Sequence, residues 1–94
     1  MALQKMSAED VIQSLSTLPR WSVDAKSSAI TREYVLVDFF SAFQFMTLIA
    51  AAAEKHNHHP DWRNVYNRVE VLLATHDAGG VTDLDVELAS FMDK

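Results

Sequence analysis

The sequence predicts an α+β fold, a four-stranded antiparallel sheet with three helices packed on one face, and three observations lead there. Residues 21–37 and 62–76 each hold two extended segments in succession, the second of which alternates between its two faces, as the strands of a hairpin do. Three further stretches space apolar residues by three and four, the repeat of an amphipathic helix. The order is helix, strand, strand, helix, strand, strand, helix. Two hairpins and three such helices hide their apolar faces together when the helices cover one side of the sheet.

The elements follow in chain order. Ser7, with Glu9 and Asp10 behind it, is a helix N-cap with acidic residues in the first turn, and Val11, Leu15 and Leu18 form the apolar stripe up to Pro19. Residues 21–24 and 29–37 read as strands around the polar turn 25–28, the second alternating Ile30, Arg32, Tyr34 and Leu36 against Thr31, Glu33, Val35 and Val37. Asp38 caps a helix from residue 39 to about 56, with Phe39, Phe43, Met46, Ala50 and Ala53 on one face. Pro60 disfavours helix at His59, so the histidine pair lies at the C-terminal edge of that helix and Pro60 supplies the bend. Residues 62–66 and 68–75 are the second hairpin. Gly79 and Gly80 make a turn, and Thr82 with Asp85 has capping-box spacing before a helix carrying Leu84, Leu88 and Phe91.

Composition narrows the function. A chain of 94 residues fits one domain over residues 1–94, burying somewhat over ~60% of its unfolded surface. With no cysteine, disulfides, thiolate metal sites and a cysteine nucleophile are excluded. A net charge of −5 with no basic run speaks against direct nucleic-acid binding and against an anionic membrane surface. The acidic N-terminal stretch, residues 1–11, does not read as a targeting peptide, so a cytoplasmic protein is expected. Residues 39–53 carry no charge, but a spanning helix needs ~20 residues. A helix apolar nearly all round needs cover on several sides, and a second copy of the chain is the expected cover.

The block EKHNHHPDWRNVYN, residues 54–67, together with Thr75 and His76, holds the residues suited to proton transfer. Imidazole, with an ordinary pKa near ~6.5, gives and takes protons around neutrality. Glu54 and His58 are four apart, so a helix continuing through that turn pairs them, fixing the ring's tautomer. His76 ends a strand beside a loop, where functional side chains are presented. A metal site among His56, His58, His59 and His76 is the weaker reading, because the sequence has neither HExxH nor a histidine pair four apart. Trp62 is placed to wall a pocket for a flat ring. Asp85 and Asp77 read as capping and turn residues.

Glu54-Lys55, His58-His59-Pro60, Trp62, Asn64 to Asn67, Thr75-His76, Gly79 and Leu88 to Phe91, with Phe39, Ala42-Phe43 and Phe45 to Thr47 upstream, give the chain a resemblance over most of its length. It resembles the pterin-4a-carbinolamine dehydratase family, also known as dimerisation cofactor of a homeodomain transcription factor. The resemblance implies a four-stranded antiparallel sheet with three helices on one side, assembled as dimers or tetramers. It implies dehydration of 4a-hydroxytetrahydropterin to quinonoid dihydropterin in tetrahydrobiopterin recycling, with no metal or cofactor. His58 and His76 would be the acid/base pair, His59 the residue that orients the pterin, and Glu54 the partner of His58. Asn57, Pro60, Trp62, Ala74, Thr75 and Asp77 would line the ring with the three histidines. Familiar animal members have an aspartate where this chain has Asn57, which keeps a hydrogen-bonding group and removes a charge. Some members instead bind a transcription factor through the helical surface that makes their own tetramer, which is the rival reading.

Overall fold

The structure, a computed structural model, describes residues 4–94; the first three residues, part of the stretch read for a targeting signal, lie outside them. Helix α1 (Ala8–Ser14) starts where Ser7 accepts a hydrogen bond from the Asp10 amide, and it tightens into a 3-10 turn at Leu15–Thr17. Strands β1 (Ser22–Val23) and β2 (Ile30–Val35), helix α2 (Phe39–His56), strands β3 (Asp61–Val65) and β4 (Arg68–Leu73), a 3-10 turn at His76–Ala78 and helix α3 (Asp83–Met92) complete the expected order. The four strands form one antiparallel sheet in the order β1-β2-β4-β3, so the hairpins meet through β2 and β4.

Strand ends are shorter than the alternation suggested, and pairing explains why. Val35 meets Arg68, the first residue of β4; Leu36 then bonds the turn residue Asn67 in both directions, and Val37 projects into solvent. At the other end Ile30 meets Leu73, so Thr75 has no strand partner and bridges Gly80 instead. Tyr66, expected in the strand, has a positive φ of 51° and forms the hairpin turn.

Alternation places Ile30, Tyr34, Val69, Val71 and Leu73 on the covered face, against Val11, Leu15, Ile49, Leu88 and Ala89. Each fully buried aliphatic chain of this kind contributes roughly 1.5–3 kcal/mol. The uncovered face carries Thr31, Glu33, Arg63 and Glu70. Two helical stripes are rotated from expectation. In α2 the core side is Ala42, Ile49, Ala52 and Ala53, with Phe45 and Met46 half-buried, whereas Phe39, Phe40, Phe43 and Leu48 face outward. Small alanines allow close approach to the sheet, and a helix apolar on most sides gives periodicity no means of choosing a face. In α3 the buried set is Asp85, Leu88, Ala89 and Met92, because the polar partners of Asp85 draw it inside and leave Leu84 and Phe91 half-buried.

Asp93, just after α3, ties that helix to the sheet. Its carboxylate accepts from Trp21 Nε1 at 3.1 Å, Arg32 NH1 at 2.6 Å and the Tyr34 hydroxyl at 2.5 Å. Burial, then the hydrogen bond and negative charge of Asp93, push the Tyr34 hydroxyl above its ordinary pKa. The folded protein therefore keeps a proton that the unfolded chain releases near ~10, so stability is intact below that pH and falls as pH rises above it. Tyr34→Phe is expected to cost about 1.5 kcal/mol at neutral pH and to flatten that alkaline fall in a series of urea titrations.

Ser27 is buried with φ at 53°, and its hydroxyl has no hydrogen-bond partner among the described residues. Its backbone is needed: the Ser27 amide donates to the Asp24 carbonyl and its carbonyl accepts from Val81. Ser27→Gly keeps both bonds and removes left-handed strain and an unsatisfied hydroxyl. Thermal unfolding should show a gain of about 1 kcal/mol, or about 4–8 °C.

Candidate functional site

The end of α2 decides where the histidines go. Asn57 takes the left-handed conformation, φ 51°, with its amide donating to Glu54 and the His58 amide reaching back to the Ala53 carbonyl at 3.0 Å. This is a Schellman ending, for which asparagine is well suited because its short polar side chain tolerates the left-handed region. The bend expected at Pro60 is therefore made at Asn57. It turns His58 inward, where it is buried, and leaves His59 exposed. His56 is exposed too.

The expected Glu54–His58 pair does not form, because the helix stops at His56 and the i,i+4 relation does not extend past its cap. Glu54 Oε2 instead lies 2.5 Å from His59 Nε2, an exposed contact worth little stability by itself. His58 Nε2 lies 2.5 Å from Oδ1 of Asp85, whose side chain is fully buried. The other carboxylate oxygen of Asp85 accepts from the Thr75 hydroxyl at 2.8 Å and from the Thr82 amide at 2.9 Å.

Asp85 had been legible only as a capping residue, and it is one: its carboxylate accepts from the Thr82 amide and its own amide donates to the Thr82 carbonyl. The same carboxylate also holds His58, which spacing along the chain could not reveal. The signal was an acidic N3 residue in a helix that starts soon after the His76 loop. An ionised carboxylate only accepts, so His58 donates through Nε2 and presents Nδ1 as the nitrogen available to a ligand.

The Thr75 hydroxyl shares Asp85 with His58, and His76 is the next residue in the chain. Thr75 was expected to line a ligand through its backbone; its side chain is buried, with the hydroxyl engaged with Asp85 and Thr82. His76 opens the 3-10 turn His76–Ala78 and is exposed, as is Asp77; Ala74 is half-buried. The turn closes at Gly79, φ 77°, with Gly79 donating to the carbonyls of Thr75 and His76. A residue with a Cβ is strained in that conformation. Pro60 is half-buried, and Trp62, on β3 opposite Val71, packs against the core.

Among the described residues no group of three or more histidine, cysteine, aspartate or glutamate side chains is arranged to hold a metal ion. No helix among them is long and apolar enough to cross a membrane. One cleft crosses the uncovered sheet face beside Arg20, Thr31, Arg63 and Glu70, with Trp62 in its lining. A groove of about 700 Å³ runs along α2 between Phe39, Phe40, Phe43, Gln44, Thr47 and Leu48. Neither is lined by a histidine.

Comparison with known proteins is concordant. The model of the pterin 4 alpha carbinolamine dehydratase family matches residues 4–94. A protein of Bradyrhizobium sp. (strain BTAi1), provisionally named as that dehydratase, is 53% identical over 91 residues, covering 97% of this chain and 92% of its own. A protein of Rhizorhabdus wittichii with the same provisional name is 47% identical over 89 residues, covering 95% and 92%. The crystal structure of a transcriptional coactivator/pterin dehydratase from Brucella melitensis superposes with a TM-score of 0.91 at 42% identity, covering 96% of each chain.

Proposed function

Because the chain belongs to the pterin-4-alpha-carbinolamine dehydratase family, we propose that it removes water from 4a-hydroxytetrahydropterin by histidine acid/base chemistry, as a cytoplasmic enzyme of tetrahydrobiopterin recycling. The observation that carries this is the buried Asp85 carboxylate, which holds His58 by one oxygen and the residue before His76 by the other.

In the reaction the C4a–O bond breaks as an acid protonates the departing hydroxyl. A base takes the N5 proton, and the electron pair left at N5 closes the C4a=N5 double bond, giving quinonoid dihydropterin and water. The two proton transfers are assigned to His58, through Nδ1, and to His76. Fixing the tautomer of His58 in advance keeps one nitrogen ready without reorganisation. His59, steadied by Glu54, orients the pterin. Asn57, Pro60 and Trp62 on one side, and the backbone of Ala74 to Asp77 on the other, border the ring. The reaction needs no cofactor, since C4a–O cleavage and C4a=N5 formation require only the two proton transfers and no redox partner.

The test is the coupled hydroxylase assay. Added protein should hasten the disappearance of the 4a-hydroxy intermediate in proportion to its concentration; an unchanged rate at high protein concentration rules the reading out.

A second reading has its own observation. Phe39, Phe40, Phe43 and Leu48 stand outward on α2 and edge an apolar groove, a face that homodimer or homotetramer formation, or a protein partner, would cover. Sedimentation separates the two uses: a tight homotetramer leaves that face occupied, and a dissociated chain leaves it open to a partner.

A further inference from the structure

We infer that Thr75 is a positioning residue for His58, acting through Asp85; this rests on the reading of His58 as an acid/base group. Thr75 Oγ1 lies 2.8 Å from Asp85 Oδ2 and 2.6 Å from Thr82 Oγ1. The direction of every bond follows from what each group can give. Thr82 Oγ1 carries one proton that it can give to Thr75, since the Asp85 amide donates to the Thr82 carbonyl. The Thr75 proton goes to Asp85, because an ionised carboxylate has none to offer. His58 donates to the remaining oxygen. The Thr75 hydroxyl, the Thr82 amide and the His58 imidazole thus converge on one buried carboxylate with a single consistent set of donors.

Two donors on Oδ2, the Thr75 hydroxyl and the Thr82 amide, keep the carboxylate from turning and leave Oδ1 to His58. The amide is backbone and holds whatever residue stands at 82. The Thr75 hydroxyl is therefore the side-chain control on the angle at which Asp85 meets the ring. The same bond fixes the start of the turn carrying His76. One hydroxyl accordingly sets the relation between two imidazoles that come from the end of α2 and from the β4–α3 connection.

A residue that only satisfies a buried carboxylate would alter stability and leave the rate of the folded enzyme alone. The experiment compares Thr75→Val, which keeps the shape and removes the hydroxyl, with Thr75→Ser, which keeps the hydroxyl. It reads kcat and KM separately in the coupled assay, with ¹⁵N spectra of the His58 ring at mildly alkaline pH. Thr75→Val should lower kcat about tenfold, with KM within about twofold, and turn a single Nε2–H tautomer into a mixture; Thr75→Ser should restore both. A folded Thr75→Val with wild-type kcat and an unchanged ring spectrum overturns the inference, as does Thr75→Ser losing as much as Thr75→Val. Should Thr75→Val not fold, the wild-type spectrum decides: a proton on Nε2 supports the donor set, and one on Nδ1 overturns it. A wild-type protein without dehydration activity defeats the dehydratase reading alone, because the ring spectrum still reports the coupling of Thr75 to His58.

Discussion

Replacing Asp85 by alanine is expected to lower stability by about 3–5 kcal/mol, because each buried donor left without an acceptor costs about 1–3 kcal/mol. Three donors lose their acceptor at once: His58 Nε2, the Thr75 hydroxyl and the Thr82 amide. The last of these is the bond by which Asp85 caps α3. A domain of this size has only ~5–15 kcal/mol in total, and each kcal/mol is about 4–8 °C. Thermal unfolding should therefore fall by on the order of 20 °C. A loss under about 1 kcal/mol would mean that the carboxylate is not the shared acceptor.

Asp85→Asn separates structure from chemistry. The amide preserves shape, and its oxygen best serves the two donors from Thr75 and Thr82, which directs its NH2 group at His58. Nε2 must then accept, and the neutral ring carries its proton on Nδ1, the reverse of the wild type. Under the proposed reaction the nitrogen facing the pterin is then in the wrong state, and kcat should drop about 10²-fold or more while the protein stays folded. The ¹⁵N spectrum of the ring reports the reversal directly.

The largest kinetic effect is expected from His58→Ala/His76→Ala, which removes both groups assigned to proton transfer. Positioned acids and bases typically supply ~10²–10⁴ in rate, so the coupled assay should fall toward the uncatalysed background. His58→Ala also strands the Asp85 carboxylate, and His58→Gln offers it a replacement donor where the double variant unfolds. His59→Ala, with its exposed partner Glu54, should spare the fold and act on binding and orientation. Full activity in the folded double variant removes the role given to both imidazoles.

How much of this was legible depends on whether the signal was local. Strands β2 and β4 were visible because alternation is a property of a few adjacent residues, and the element order and one-sided cover follow from it. The caps at Ser7, Asp38 and Thr82 were visible for the same reason. The face α2 turns to the core was not, since apolar residues ring the helix and only the alanine-rich side fits close to the sheet. Partnerships across the fold were hidden as well. Glu54 and His58 had the right spacing, yet the left-handed Asn57 separated them. Asp85, 27 residues beyond His58, took the place of Glu54. Its capping role was sufficient explanation for an aspartate at that position, and nothing in a linear chain says that one carboxylate serves two purposes.

The most direct test of the account is a titration of the protein, labelled with ¹⁵N at histidine, with a dihydropterin analogue. The account predicts saturable shifts at the rings of His58, His59 and His76 together, largest at Nδ1 of His58, with Nε2 still bonded to Asp85. Binding that moves residues along the apolar face of α2 or the uncovered sheet and leaves those three rings unchanged would contradict it.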